Sequence, residues 1–295
     1  MIASPGDRVH VDLFEQHRPR LFGVAYGMLG SVMDAEDIVQ DAWLRWTAVD
    51  VGSVDSPAAY LTTVTTRLAI DRLRSARHRR ETYVGPWLPD PLVSETDGDP
   101  GDVVAEAEQL SMAMLTALER LDPTERAVLL LREVFDLDYA EIADVVDTSP
   151  ANCRQIAHRA RDHVGDMARN RSHESEVEAR LLEAYITAIA ADDAEALAAV
   201  FADDVVLWSD GGGKARAARH PLAGAARVAR FLVGVSAQTP PDATARFVRV
   251  NGEPALMGVV DGSPIGVLAF EIADERITAI RAVLNPDKLE HIECA

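Results

Sequence analysis

The chain has 295 residues, 48% of them hydrophobic and 5% aromatic, and a formal net charge of −19 at pH 7. That length asks for two or three domains, and no apolar run approaches the ~20 residues that span a bilayer. The N-terminal MIASPGDRVHVDLFEQHRPR has no apolar signal core, and Cys153 and Cys294 lack metal-ligand spacing and suit a reducing compartment, so the expectation is a cytoplasmic protein with no membrane, metal or cofactor.

The acidic total hides an uneven distribution. Between Arg67 and Arg80 six arginines face one acid, Asp71. Residues 11–50 read as helices: in DAEDIVQDAWLRW, Ala35, Ile38, Val39, Ala42 and Trp46 recur at helical spacing with acids on the other side. Ser56-Pro57 is a helix start, serine capping and proline in the first turn, for a helix running to about Arg80 with Leu61, Val64 and Leu68 on one face. Residues 81–102, ETYVGPWLPDPLVSETDGDPGD, carry four prolines and three glycines and no helix or strand period. They read as an acidic linker, although Trp87 and Leu88 between prolines are unusual for a solvated one.

Helical pattern returns at Val103, and Asp122-Pro123-Thr124-Glu125 is a capping-box start. A short helix over Tyr139–Val146, a turn, and a helix opened by Ser149-Pro150 and running to about Met167 make a helix-turn-helix. On its second helix Cys153, Ile156, Ala157, Ala160 and Val164 share an inward face. Arg154, Gln155 and His158 lie opposite, with Arg159 and Arg161 on the flanks and Asn152 ahead of them. Forked donors and acceptors on such a helix suit base edges and phosphates. The bland reading is a helical hairpin with a solvated charged face. From Glu174 the pattern changes: an amphipathic helix (Leu181, Leu182, Tyr185, Ile186, Ile189) and a short one capped by Asp192-Asp193. The strand-like runs VVLW, ARFVRV, ALMGVV, IGVLAFEI and ITAIRAVL follow, the order of an α+β domain.

The loop WSDGGGKARAARHP, starting at Trp208, looks like a phosphate cradle, but Trp208 occupies the first glycine position of a P-loop and Ala215 the hydroxyl position. A nucleotide site is therefore not expected.

With these segments in view, the chain resembles bacterial sigma factors of the extracytoplasmic-function (ECF) type. Residues 11–80 resemble region 2 and residues 103–170 region 4. GSVMDAEDIVQDAWLRW resembles the segment that docks on the polymerase clamp helices. The resemblance, together with the acidic face and its apolar neighbours, marks Asp34, Glu36, Asp37, Val39, Gln40, Asp41 and Trp43 for polymerase. SPAAYLTTVTTRLAIDRLRSARHRR resembles the segment that melts and reads the −10 element, which implies DNA contacts from Tyr60, Thr63, Arg67, Arg72, Arg74, Arg77, Arg79 and Arg80. Thr62 and Thr66, on the same helix, are candidates for the same single-strand contacts. The family often has Trp and Asn where this chain has Tyr60 and Arg67. The helix-turn-helix resembles the −35 reader, and the implied partners are the polymerase core, at clamp and flap, and promoter DNA.

Residues 173–295 resemble a SnoaL-like domain, a cone of curved antiparallel sheet packed by helices. The sigma factors with this domain fused at the C-terminus are similar at WLPDP (Trp87, Leu88, Pro89, Asp90, Pro91), at DGGGK (Asp210, Gly211, Gly212, Gly213, Lys214) and at NPDKL (Asn285, Pro286, Asp287, Lys288, Leu289). The resemblance implies a built-in regulator whose glycine turn approaches the linker and the sigma regions, answering to a small-molecule or protein signal. The expected architecture is thus multidomain: sigma region 2 (1–80), linker (81–102), sigma region 4 (103–172) and a regulatory SnoaL-like domain (173–295). Two rival readings remain. One is a SnoaL-like binding or catalytic domain, using residues such as Asp204, Trp208, Asp210 and His220, fused to a DNA-binding module; the other is a transcription factor independent of polymerase.

Overall fold

A computed structural model describes residues 5–80, 82–95, 107, 110–165 and 175–293. The chain divides into two compact units. One gathers residues 1–81 with 99–168; the other gathers 82–98 with 169–295. Residues 82–98 of the linker thus belong with the C-terminal domain, and the two sigma-like regions belong together.

In the first unit, α1 (Pro5–Leu29), α2 (Val32–Thr47) and α3 (Pro57–Arg80) pack on one another. The expected face of α2 (Ala35, Ile38, Val39, Ala42 and Trp46) is buried, and the Ser31 hydroxyl caps its first turn. Helix α1 ends where Gly30, at φ 62°, turns its N–H back to the Tyr26 carbonyl. The second helical group comprises α4 (Met112–Leu118), α5 (Pro123–Glu133), α6 (Tyr139–Val146) and α7 (Pro150–Val164). Asp122 and Asp138 both form full capping boxes, with Glu125 and Glu141. Helix α7 buries Cys153, Ile156, Ala157, Ala160 and Val164 and stops at Gly165, φ 64°, about three residues before the sequence pattern suggested. These helices share a core with α1: Val24 packs in one cluster with Val128, Leu131, Phe135, Ile142, Val145, Ile156 and Ala157.

The second unit is built on a seven-stranded sheet in the order β1-β4-β5-β6-β7-β2-β3 among the described residues. The strands are β1 (Val93–Glu95), β2 (Phe201–Asp210), β3 (Leu222–Ala223), β4 (Thr244–Val250), β5 (Glu253–Val260), β6 (Ser263–Ala273) and β7 (Arg276–Val283). Helices α8 (Ser175–Ala190), α9 (Ala194–Ala199) and α10 (Ala225–Ser236) supply its apolar cover. Leu181, Leu182, Tyr185, Leu197, Val228 and Leu232 pack with Phe201, Leu207, Leu256, Phe270 and Ile280 in one core.

Two expectations need correction. The sheet is not purely antiparallel: β2 runs parallel to β7, with Asp210 opposite Val283. These strands are not joined by a hairpin, so no short turn forces them antiparallel. The linker is not without regular structure either. Its residues Val93–Glu95 pair antiparallel with Val248–Val250, because an edge strand's free N–H and C=O groups accept any extended segment brought alongside. Three residues are too few to show a period.

Candidate promoter-reading surfaces and a linker latch

On α2 the acids marked for polymerase divide. Arg72, from α3, donates to Asp34 from Nε (3.0 Å) and Nη2 (2.7 Å), and to Asp37 from Nη2 (2.9 Å). The paired carboxylates hold the Arg72 guanidinium above its ordinary pKa, chiefly through the hydrogen bond to Asp34. Glu36 accepts from Arg18 at 2.6 Å. Gln40 and Asp41 are exposed. Val39 is only 2% exposed, so it cannot protrude as an anchor. With Trp43 and Phe14, whose rings meet edge-on at 5.0 Å, it lines a groove of about 350 Å³ beside Glu15, Arg18, Glu36, Asp37 and Gln40. The apolar side chains that do protrude are Met33 and Leu44, 69% and 59% exposed.

On α3, the Tyr60 ring packs on Trp46 and the Thr63 hydroxyl donates back to the Ala59 carbonyl at 2.8 Å. Thr62 and Thr66 are buried. Arg74 reaches Asp71. The side chains of Arg77, Arg79 and Arg80 lie outside the described residues. Arg67, though exposed, is engaged: it donates from Nε to the Val145 carbonyl (3.0 Å) and from Nη2 to the Asp144 carbonyl (2.7 Å), at the end of α6.

On the second helix of the helix-turn-helix, Asn152, Arg154, Gln155, His158, Arg159 and Arg161 are all exposed. Arg161 is bonded to Glu133 (2.6 Å) and the Tyr139 hydroxyl (3.3 Å), which raise its pKa, the Tyr139 bond first. Arg154 lies over the Tyr139 ring at 5.4 Å. Asn152 donates to Thr148, and His158 meets Asp162 at 3.4 Å.

The second unit concentrates its polar chemistry at Asp210, which is fully buried. Its Oδ1 accepts from the Tyr83 hydroxyl (2.6 Å) and the Gly212 N–H (3.1 Å), and its Oδ2 from the Leu88 N–H (2.8 Å) and Lys288 Nζ (2.9 Å). Two of these donors come from the linker. Lys288, 7% exposed, also donates to the Leu88 carbonyl and sits 4.0 Å from the centre of the Trp87 ring. Asn285 Nδ2 donates to the Tyr83 oxygen at 2.9 Å. Burial, then the bond to Asp210, pushes the Tyr83 phenol above its ordinary pKa, so it remains a donor. Pro89, Asp90 and Pro91 are buried, and the Pro91 carbonyl faces His291 Nε2 at 2.9 Å. Further along, Leu92 and Asn251 exchange two bonds, of 3.1 Å (side chain) and 2.9 Å (backbone).

DGGGK and NPDKL meet because β2 and β7 are parallel neighbours: both motifs leave the sheet at the same end of the strands. The Leu284 and Asn285 N–H groups donate to the Asp210 carbonyl, at 2.7 and 2.9 Å, and Lys214 pairs with Asp287 at 2.6 Å. Pro286–Lys288 form a turn of 3-10 helix, and Leu289 beyond it is buried. Gly212, at φ 56°, has no room for a Cβ, which would collide with Asn285 Nδ2 and the Tyr83 hydroxyl; Gly211 is closed off by the Ala215 carbonyl and Gly213 packs on Val84. The triple glycine is therefore a close-approach turn on the linker. Sequence reasoning missed Tyr83, Asn251 and His291. Asn251-Gly252 carried only a turn signal, and nothing local marked the other two.

Residues 13–79 match the model of Sigma-70 region 2, residues 111–164 that of Sigma-70, region 4, and residues 182–280 that of the SnoaL-like domain. ECF RNA polymerase sigma factor SigJ of Mycobacterium tuberculosis is 38% identical, over 95% of this chain and 93% of its own length. The chain belongs to the ECF RNA polymerase sigma factors. Probable ECF RNA polymerase sigma factor SigI of the same organism is 32% identical over 93% of this chain and 92% of its own. The crystal structure of M. tuberculosis SigJ superposes with a TM-score of 0.76 at 36% identity, covering 94% of this chain and 97% of that one. The sigma regions and the fused SnoaL-like domain are thus properties of this ECF factor over nearly its whole length. Among the described residues no helix is long and apolar enough to cross a membrane, and no group of His, Cys, Asp and Glu could hold a metal.

Proposed function

We propose that this ECF factor mounts on the polymerase core through the α2 face and the groove beside Trp43. Its α3 reads the −10 element and α7 the −35 element. The C-terminal domain controls this in cis, in the cytoplasm where polymerase works, by holding the linker. One observation carries the regulatory reading: the buried Asp210 carboxylate takes two of its four donors from the linker. Held from Tyr83 to Glu95, the linker cannot extend. Freed, residues 81–102 reach up to ~75 Å at about 3.4 Å per residue. The −10 and −35 elements are about 25 base pairs apart, some ~85 Å at 3.4 Å per base pair. A sigma factor spanning both needs nearly that whole reach, so linker capture disfavours promoter engagement.

The catalytic rival is less well supported. Asp204 and His220 are exposed, Asp210 is bonded by the linker, and the core between the sheet and its helices is built of aliphatic and aromatic side chains. No acid–base pair converges among these residues, and a fold alone confers no chemistry. The reading is therefore a regulator without turnover.

The test is run-off transcription with core polymerase, comparing the intact chain with Lys288→Met and Tyr83→Phe. The latch variants should raise the product. Identical output from all three sinks control by the latch, whereas failure of every form to bind core enzyme sinks the sigma-factor mechanism itself.

A further inference from the structure

The two sigma regions hold one another through arginines, each placed at the carboxyl end of a helix from the opposite region. Arg126 of α5, 2% exposed, donates to the Met28 carbonyl at the end of α1 (2.8 Å) and pairs with Glu119. Arg20 of α1 donates to the Phe135 carbonyl just past α5 (2.8 Å) and lies over that ring. Arg67 of α3 forks onto the Asp144 and Val145 carbonyls that close α6. The last carbonyls of a helix have no partner within it, and the helix dipole favours a cation there. At α6 the need is acute. Asp147 takes the left-handed conformation (φ 54°) that makes the turn of the helix-turn-helix, and its N–H, like that of Thr148, returns to Ala143, not to residues 144 or 145.

Of the three, Arg126 is sealed in the core and Arg20 is half-buried, but Arg67 is exposed and replaceable. It also stands on the α3 face that carries Tyr60 and Thr63, at i, i+3 and i+7. Helices in direct contact cannot serve elements some ~85 Å apart, so this packing and promoter engagement exclude each other.

We propose that Arg67 is the releasable catch of an autoinhibited sigma unit: it holds the helix-turn-helix against α3, and promoter DNA opens the unit by taking the same guanidinium for itself. Phosphate oxygens, being charged, are stronger partners for a guanidinium than neutral carbonyls, so DNA shifts the equilibrium by differential binding to the open form. The proposal deepens the sigma-factor reading and rests on it.

The experiment uses the full chain without polymerase, with labels on Asp55→Cys in region 2 and Ala151→Cys in region 4 in a background carrying Cys294→Ser; the remaining native thiol, Cys153, is buried. The distribution of label separations is read by pulsed electron spin resonance. The chain with Arg67 intact should show mostly the short separation, moving to the long one when single-stranded −10 DNA is added. Arg67→Ala should raise the open-to-closed ratio about tenfold, the scale of one lost charge-assisted hydrogen-bonded fork, and blunt the response to DNA. Arg67→Lys, which keeps the charge but loses the fork, should fall between. An unchanged distribution in Arg67→Ala, or an equal DNA response with and without the arginine, overturns the catch. Binding of core polymerase by the same variants is scored separately, so loss of the sigma reading cannot be mistaken for loss of the catch.

Discussion

Lys288→Met puts the linker latch to a quantitative test. Among the described residues the ammonium is the one full positive charge bonded to the buried Asp210 carboxylate, at 2.9 Å, and the two side chains are 8% and 0% exposed. Removing one member of such a pair costs about 3–5 kcal/mol, mostly because the remaining charge stays buried and uncompensated. The variant also loses the contact of the ammonium with the Trp87 ring and its bond to the Leu88 carbonyl. Releasing the linker lets Asp210 reach water, so the penalty falls on the latched state. Even ~3 kcal/mol is on the order of a hundredfold in the latch equilibrium. Hydrogen exchange reads this directly, since the Leu88 and Leu92 N–H groups are bonded to Asp210 and Asn251 only while the linker is docked. Their exchange should accelerate on the order of a hundredfold, while amides of the Leu207 and Phe270 core hold. Pairing Lys288→Met with Asp210→Asn removes the stranded charge and should recover much of the protection. Unchanged exchange at Leu88 and Leu92 in the single variant refutes the reasoning, as does acceleration spread evenly over the whole domain.

Gly212→Ala should free the linker without touching a charge, because the new methyl meets Asn285 and Tyr83 at a backbone φ of 56°; faster proteolytic cleavage between Tyr83 and Glu95, with the sheet intact, is the readout. Asp138→Ala removes one capping box of the helix-turn-helix and should cost about 1 kcal/mol, seen as a lower urea midpoint. Gln155→Ala, exposed on the reading helix, should cost ~1–3 kcal/mol on the preferred −35 sequence and relax discrimination at one base pair, measured by binding of promoter variants with core polymerase present. His17 has its pKa lowered, first by burial and then by Arg20. As pH falls through the unfolded value of ~6.5, the unfolded chain takes up the proton first and stability drops, the full penalty being reached below the folded pKa. His17→Gln should flatten that drop between denaturation curves at neutral and mildly acidic pH.

The sequence by itself determined every element whose pattern is local. The buried stripe of α2, the capping boxes at Asp122 and Asp138, the inward face of α7 and most strands follow from spacing and end chemistry alone. The resemblance to sigma factors with a fused SnoaL-like domain singled out WLPDP, DGGGK and NPDKL. Tertiary structure decided what these segments touch. Parallel pairing of β2 with β7 brings DGGGK and NPDKL to one end of the sheet, and an antiparallel pair would have sent them to opposite ends. Likewise, nothing near Arg67 in the chain announces that α6, some 77 residues on, ends beside it with two carbonyls to fill. Periodicity and capping are written within a few residues, whereas the partner of an arginine or a buried carboxylate is fixed only when distant backbone is brought alongside.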